Sequence, residues 1–204
     1  ALNWVNATFY LGLSRWAGLA ERTDSDSGYY DWLVKLCKDN GWKLGRRVYH
    51  ADDICVGQTY LQLYDRYGDK SVLIPTLERA DWVIANPPRG SFDLDYSKPQ
   101  TLDHWTWCDA LFMAPNVYLG LGRVTGNRKY ARFMDKEYRL TFKNLYDKKE
   151  HLFYRDRRYI GRKEPNGANV FWARGNGWAP GGLAGLVRHR RGGAHPSSFY
   201  KQMV

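Results

Sequence analysis

The strongest constraint on the fold is a repeated unit, in which apolar residues recur three or four positions apart and a turn with glycine follows. Two segments, RYGDKSVLIPTLERADWV (66–83) and VTGNRKYARFMDKEYRL (124–140), place a Gly-Asp or Gly-Asn pair between two such stretches. Glycine favours the backbone that ends a helix, and Asp69 or Asn127 can cap the next one. Strict strand-like alternation is almost absent. The pattern predicts an all-α solenoid or closed α/α toroid built from helical hairpins.

The spacing of two loop-to-helix junctions supports the same architecture. Asp53 and Asp109 are 56 residues apart, about the length of one helical hairpin with its loops. Apolar residues surround Asp109 on nearly every side of a predicted helix over 107–121, so we expect a buried carboxylate there. The Pro-rich segment 86–100 predicts a long surface loop of the kind that carries function. We expect a single domain over 1–204.

Composition narrows the class of protein. A hydrophobic content of 44% with 25% charged residues is typical of a globular chain and argues against disorder. Aromatic residues make up 16% of the chain, which is more than a core of this size needs, so some of the rings can contact a ligand. The net charge of +10 favours an anionic partner. The sequence has no apolar run long enough for a membrane span and no nucleic-acid motif. We expect neither partner, and a bacterial periplasmic or cytoplasmic location.

Three polar and aromatic clusters occur at comparable places, each in a loop or at the start of a helix: YHADDICVGQTY (49–60), DHWTWCDALFMAP (103–115) and FWARGNGWAP (171–180). A toroid gathers such segments at one end. Asp52 and Asp53 precede an apolar helix, so they can act either as helix caps or as site carboxylates. The three cysteines are widely spaced, and the sequence shows no metal-ligand or nucleotide-binding pattern, so no cofactor or metal is expected.

Asp109 is the strongest candidate for chemistry. On a continuous helix, Trp105 and Met113 would lie on its own face at i−4 and i+4. A carboxyl group among indole rings loses hydration, its pKa rises, and it can give a proton near neutral pH. The alternative is a structural aspartate that is bonded to a neighbouring helix.

Arg174 and His104 each allow two interpretations. Arg174, between two tryptophans, can be a structural cation–π element or a fork for a carboxylate, with the adjacent glycines allowing close approach to a ligand. His104 can contact a ligand or pack in its loop.

Taken together, these motifs resemble the unsaturated glucuronyl and rhamnogalacturonyl hydrolases of glycoside hydrolase family 105 and the related family 88. The resemblance runs along nearly the whole chain. It is carried by HADDICVGQTYLQLYDRYGD, HWTWCDALFMAPNVYLGLGRVTGNRKYARFMDKEY, LYDKKEHLFYRD and FWARGNGW. It implies an (α/α)6 barrel, no cofactor, and action on the acidic oligosaccharides that polysaccharide lyases leave, each with a terminal 4,5-unsaturated uronic acid.

The resemblance also implies roles for the candidate residues. Asp109 takes the position of the general acid/base that protonates C4 of the unsaturated ring, and the second carboxylate falls in the Asp52-Asp53 pair. Trp172 and Arg174 take the positions that stack on and hold the uronate. Further substrate-binding candidates are His104, Trp105, Trp107, Met113, Arg155, Asn176 and Trp178.

Two departures from the family pattern matter. Arg155 stands in LFYRDRRY where several family members have His, which leaves the uronate and its neighbouring sugar open. Arg157 and Arg158 add positive charge, either for a longer or sulfated substrate or as solvated side chains. Twelve helices with loops need about 330 residues, whereas the chain has 204, so we expect about seven helices and a ring that stops on its C-terminal side. Exposed faces of such a ring favour either a homo-oligomer that covers them or an unstable fragment without activity.

Two other function classes stay open from sequence. A non-catalytic helical module could bind acidic polysaccharide through arginine and tryptophan. The basic surface could also bind nucleic acid, although no motif accompanies the charge. A hydrolase of unsaturated uronyl oligosaccharides is the leading hypothesis.

Overall fold

The structure, a computed structural model, describes residues 2–23, 28–189 and 198–201. Seven of the helices in these ranges have at least 11 residues, which agrees with the expected number. The elements are α1 (Trp4–Arg22), α2 (Tyr29–Asp39), α3 (Ala51–Ile54), α4 (Gly57–Tyr67), α5 (Ile74–Ala85), α6 (Ala110–Met113), α7 (Pro115–Thr125), α8 (Arg128–Leu145), β1 (Tyr146–Asp147), β2 (Leu152–Phe153), α9 (Ala173–His189) and α10 (Ser198–Lys201), with 3-10 helices at Lys70–Leu73, Pro99–Leu102 and Arg157–Tyr159.

The long helices form two layers of an α/α toroid. In the inner layer, α4 packs against α1 and α7, and α7 also packs against α9. In the outer layer, α2 packs against α1, while α8 packs against α5 and α7. The first seven residues of α7 are all buried, as expected for an inner helix. The core between the layers includes the fully buried side chains of Leu33, Tyr60, Leu63, Leu121 and Tyr138.

The glycine-containing turns have the predicted geometry. Gly68 and Gly126 follow α4 and α7 with φ of 72° and 68°, in the left-handed region that a side chain disfavours. Asp69 Oδ1 accepts a hydrogen bond from Ser71 N at 2.8 Å, and Asn127 Oδ1 accepts one from Lys129 N at 3.0 Å. Both caps are therefore confirmed.

A small hairpin interrupts the helical pattern. β1 and β2 pair antiparallel, with Tyr146 opposite Phe153 and Asp147 opposite Leu152. Asp147 Oδ1 accepts hydrogen bonds from the backbone amides of Lys149 and Glu150, which closes the turn. The expectation of a chain that is nearly all helix missed these two strands because each has only two residues.

One expected helix boundary was wrong. No continuous helix runs over 107–121: α6 begins at Ala110 and α7 at Pro115, whose missing N–H suits the first turn of a new helix. Asp109 therefore precedes α6, and Trp105 lies in the loop before it. Of the two places expected for the FWARGNGW segment, a loop or the start of a helix, the second is correct, since α9 begins at Ala173.

Glycines let α9 lie close to α6 and α7. A Cβ on Gly182 would collide with the carbonyl oxygen of Leu111, and one on Gly185 would lie 2.5 Å from Asn116 Oδ1. Asn116 Nδ2 donates to Gly182 O at 3.1 Å, which ties the two helices together. This packing fixes the start of α9 beside the start of α6.

Two further expectations concern the C-terminal segment and membrane spans. Most of the segment RHRRGGAHPSSFYKQMV, which resembles a loop and the opening of a further helix, lies outside the described residues. Within the described ranges, no helix combines the length and apolar character that a membrane span requires.

Candidate active site

The structure brings the three predicted clusters to one cavity of about 340 Å³. The cavity lies where inner helices α1 and α9 begin, and where the short helices α3 and α6 precede inner helices α4 and α7. Backbone amides at helix starts favour negative charge, which suits an anionic ligand. The lining residues are Trp4, Arg47, His50, Ala51, Asp52, Tyr96, Leu102, His104, Trp105, Thr106, Trp107, Asp109, Ala110, Trp172 and Arg174.

Asp109 lines this cavity from its position directly before α6. Burial raises the pKa of its carboxyl group to about 7, and the negative charge of Asp52 adds to the rise. Backbone amides at Asp109 and Ala110, together with the charge of Arg174, act in the opposite direction. A carboxyl group with this pKa can both give and accept a proton near neutral pH.

The structure separates the two carboxylates that the sequence left equivalent. Asp52 lines the cavity, and burial, reinforced by the charge of Asp53, raises its pKa to about 6 although Arg47 opposes the rise. Asp53 lies outside the cavity lining and accepts hydrogen bonds from Arg47 N at 2.6 Å and Arg47 Nη2 at 2.7 Å. Burial alone would raise the pKa of Asp53, but the bonds from Arg47 hold it below its usual value. Asp52 is therefore the second carboxyl group at the cavity.

Neither aspartate is the residue that caps α3. The cap is His50, whose Nδ1 accepts a hydrogen bond from Asp52 N at 3.3 Å. Burial and the nearby charge of Arg47 lower the pKa of His50 to about 4, so the ring is neutral at physiological pH. Of the two alternatives for the aspartates, the role of helix cap does not hold, because His50 takes the position before them.

Arg47 is a cavity residue that the sequence analysis missed. Its Nη2 lies 3.5 Å from Asp52 Oδ2 and 2.7 Å from Asp53 Oδ1, so one guanidinium group spans both carboxylates. The basic pair Arg46-Arg47, six residues before the acidic pair, was the available signal. Trp4 and Tyr96 also line the cavity, and neither belongs to one of the three clusters.

Trp172 and Arg174 form one side of the cavity at the start of α9. The guanidinium carbon of Arg174 lies 4.7 Å from the centre of the Trp172 ring, and the side chain is exposed. Among the described residues, Arg174 has neither a carboxylate partner nor a hydrogen-bond acceptor. It is therefore available to bind the carboxylate of a ligand, with the indole ring beside it.

Trp105 and Trp107 also line the cavity. Trp107 meets the edge of Trp172 at 5.9 Å between ring centres, and Trp105 meets Phe133 at 6.3 Å. The guanidinium group of Arg155 stacks on Trp107 at 4.3 Å and forms an ion pair with Asp156 at 2.8 Å. Arg155 itself is outside the cavity lining, so it supports the wall from behind.

His104 lines the cavity and is paired with a buried glutamate. Its Nδ1 lies 2.8 Å from Glu137 Oε2, and Glu137 is only 1% exposed. A carboxylate this buried needs a partner, and the pair fixes the orientation of the imidazole ring. Glu137 was not predicted as a site residue. Its signal was a carboxylate within the apolar stripe of α8.

Besides Arg155, three predicted binding residues lie outside the cavity lining. Met113 is fully buried in the core. Trp178 packs on Phe112 with ring centres 4.7 Å apart. Asn176 joins α9 to β2, since its side chain accepts a hydrogen bond from Phe153 N at 2.7 Å and donates one to Phe153 O at 2.9 Å.

Two further details of the sequence interpretation change. Gly175 serves packing rather than approach to a ligand, because a Cβ there would meet the Trp172 ring and lie 2.5 Å from Cys108 Sγ. The two extra arginines are already paired: Arg157 with Asp93 at 2.7 Å, and Arg158 with Asp156 at 2.9 Å. Arg158 Nη2 also donates to the hydroxyl oxygen of Tyr96 at 3.0 Å, which holds that ring at the cavity.

No group of three or more metal-ligating side chains occurs within the described ranges. Cys37, Cys55 and Cys108 are free and buried, and burial raises the pKa of each thiol. The cavity lining itself contains carboxyl groups, guanidinium groups, imidazoles and aromatic rings.

Comparison with known proteins places this site in a family. The model of Glycosyl Hydrolase Family 88 matches residues 1–190. The chain belongs to this family. Its helical toroid agrees with the structure of a family 88 glycosyl hydrolase from Bacteroides vulgatus, with a TM-score of 0.76 and 23% identity over 100% of this chain and 58% of that one.

Two curated relatives have the same name, unsaturated 3S-rhamnoglycuronyl hydrolase. The one from Alteromonas sp. (strain LOR) is 34% identical, covering 95% of this chain and 48% of the relative. The one from Formosa agariphila is 35% identical, covering 98% of this chain and 54% of the relative. The chain thus spans about half the length of the curated relatives that it matches.

Proposed function

We propose that this protein removes a terminal 4,5-unsaturated uronic acid from acidic oligosaccharides by hydrating the ring double bond, with Asp109 as the general acid/base. The observation that carries the proposal is a carboxyl group with a pKa of about 7 in a cavity that also holds an available guanidinium group on an indole ring. Family membership supports the reaction class.

The reaction follows from the chemistry of an enol ether. Asp109 transfers its proton to C4, and the electron pair of the C4=C5 bond forms the new C4–H bond. Positive charge then develops on C5 and the ring oxygen. Water adds to C5 and gives a proton back to Asp109, so the acid is regenerated. The C5 hemiketal opens, C1 becomes a hemiacetal, and this hemiacetal releases the rest of the saccharide as an alcohol.

The other cavity groups have roles that match this sequence. Arg174 binds the uronate carboxylate, and Trp172 packs against the sugar ring. Asp52 has two effects: its negative charge favours the positive charge at C5, and it raises the pKa of Asp109 so that the proton is available. His104, held by Glu137, presents its other ring nitrogen for a sugar hydroxyl.

The names of the two relatives support a narrower substrate class. We propose that the substrate is an unsaturated rhamnoglycuronyl oligosaccharide, as those names indicate for the relatives. A second candidate function is binding of acidic oligosaccharides without cleavage. Arg174 and Trp172, which lie together in the cavity, could bind such a ligand without the acid.

A single substitution tests the proposal. Asp109→Asn removes the acid but keeps the shape of the side chain, so we expect the loss of absorbance from the conjugated double bond to stop while binding of an unsaturated disaccharide persists. Asp39→Asn, at an exposed position on α2, is the matched control and should leave turnover unchanged. Undiminished turnover in Asp109→Asn excludes the assigned acid. Binding of the disaccharide by the unsubstituted chain without any consumption favours the binding module.

A further inference from the structure

A second cavity, of about 420 Å³, lies beside the candidate active site and takes no part in the proposed reaction. At two places in the sequence, a residue that lines the second cavity directly precedes a residue that lines the first. Tyr49 lines the second cavity while His50 lines the first, and Asp103 lines the second while His104 lines the first. The two cavities therefore share two short backbone segments. The lining of the second is Tyr49, Trp82, Asn86, Pro87, Arg89, Gly90, Gln100 and Asp103.

Two aromatic rings form the apolar part of this cavity. Tyr49 and Trp82 lie 5.5 Å apart between ring centres at 54°, and Trp82 remains 49% exposed. The hydroxyl group of Tyr49 donates to Asn86 O at 2.7 Å, which fixes its ring in place. The C–H face of a pyranose ring packs well on such surfaces, and covering half-exposed indole is favourable.

Polar groups with unused capacity surround the rings. Asn86 Nδ2 donates to Trp82 O at 3.0 Å, while its Oδ1 accepts no bond from the described chain. The side chains of Arg89 and Gln100 likewise have no hydrogen bond or ion pair with the described residues, and the carboxyl group of Asp103 adds an acceptor. Amide, carboxylate and guanidinium groups are the usual ligands of sugar hydroxyls and uronates.

The frame of the cavity is closely packed. A Cβ on Gly90 would collide with the carbonyl oxygen of Gln100, so the loop after α5 lies directly against the 3-10 helix Pro99–Leu102. The connection between α5 and α6 therefore folds back on itself where it lines the cavity.

We propose that this second cavity is an accessory saccharide-binding site that takes a uronate-bearing sugar unit. The sugar ring packs on Trp82 and Tyr49, the uronate carboxylate pairs with Arg89, and hydroxyl groups bond to the side chains of Asn86, Gln100 and Asp103. The inference rests on the proposed function for the class of saccharide. Because the cavities share backbone segments, the accessory site holds acidic saccharide next to the candidate active site.

The experiment uses a saturated hexamer of galacturonic acid as the probe, in a full-length variant whose first cavity is disabled by Trp172→Ala and Arg174→Ala. Isothermal titration should show residual binding. We expect adding Trp82→Ala or Arg89→Ala to weaken this binding about tenfold, since each removes a ring contact or a charge-assisted bond. Trp16→Ala on α1, where the indole is 58% exposed, and Arg132→Ala, exposed on α8, are matched controls that should change it less than about twofold.

Three results would overturn the inference. The first is loss of all binding in the Trp172→Ala/Arg174→Ala variant, which means one site. The second is equal weakening by Arg89→Ala and Arg132→Ala, which means attraction to diffuse charge. The third is equally tight binding of maltohexaose, a neutral hexasaccharide, which removes the role of the carboxylate. Circular dichroism melting curves show whether each variant folds. Turnover of an unsaturated disaccharide, measured separately, tests the proposed function independently.

Discussion

At the scale of single residues, the candidate active site depends on two carboxyl groups that ionise in order. Burial raises the pKa of Asp52 to about 6 and that of Asp109 to about 7. The negative charge of Asp52 adds to the rise at Asp109, and Arg47 offsets part of the rise at Asp52. Asp52 therefore loses its proton first, and the remaining proton stays on Asp109. In the proposed reaction, this order makes Asp109 the proton donor and Asp52 the anion.

The order of ionisation predicts the pH dependence of turnover. As pH rises through about 7, Asp109 loses the proton that it must donate, so kcat/KM should fall. Asp52→Asn removes a negative charge that raises the pKa of Asp109, so the alkaline fall should move to lower pH even where the overall rate drops. Rates measured from roughly pH 5 to pH 9 check this. An alkaline fall that stays in place or moves upward in Asp52→Asn, relative to Asp39→Asn, contradicts the coupling.

Sequence patterns identified residues that line the cavity better than the partners of those residues. Asp109, Trp172 and Arg174 were named from local chemistry and motif, and all three line the cavity. The choice between Asp52 and Asp53 could not be made from sequence, because it depends on the chain folding back to place Arg47 on Asp53.

At the scale of elements, α9 sets the position of the binding groups. Its first turn holds Arg174, and Gly175 lets the helix approach Cys108 and the ring of Trp172. The neighbouring Gly177 has nothing within 4 Å of where its Cβ would lie. The two glycines lie on the same helix but differ in packing, so the same substitution at each position tests the effect of close packing.

This difference predicts opposite effects of adding one methyl group. Gly175→Ala should lower the free energy of unfolding by about 1–3 kcal/mol through overpacking, and raise KM because the Trp172 ring must move. Gly177→Ala should leave KM unchanged and stabilise the helix by about 0.5–1 kcal/mol. Urea unfolding and steady-state kinetics measure both quantities. Equal losses of stability in the two variants would show that the close approach at Gly175 does not matter.

The sequence predicted the helices that follow glycine turns, together with the residues that cap them. It did not predict where α9 starts. Gly68 with Asp69 and Gly126 with Asn127 follow local rules, so their caps were predictable. The start of α9 at Ala173 was not, because glycines at 175 and 177 argue against a helix by local propensity. Tertiary packing against α6 and α7 overrides that propensity.

At the scale of the whole molecule, one apolar face of α1 remains uncovered in the described chain. Val5, Phe9, Trp16 and Leu19 follow one another at helical spacing on α1 and are all more than 40% exposed. Such a stripe exceeds what a free helix face normally carries. The sequence-based expectation of a homo-oligomer that covers open faces stays a prediction.

The net charge of +10 affects substrate binding at this scale. Substitution of Arg174 distinguishes a local contact with the substrate from the long-range attraction of the whole molecule. Attraction of an anionic substrate by the whole field should weaken with salt, so kcat/KM should fall as ionic strength rises. Arg174→Ala removes a direct charge-assisted contact and should raise KM about tenfold or more with little change in kcat. Arg132→Ala removes the same charge from an exposed position on α8 and should change only the salt dependence, slightly. Steady-state kinetics at low and high salt test both effects, and equal KM values in the two variants would mean that Arg174 contributes only diffuse charge.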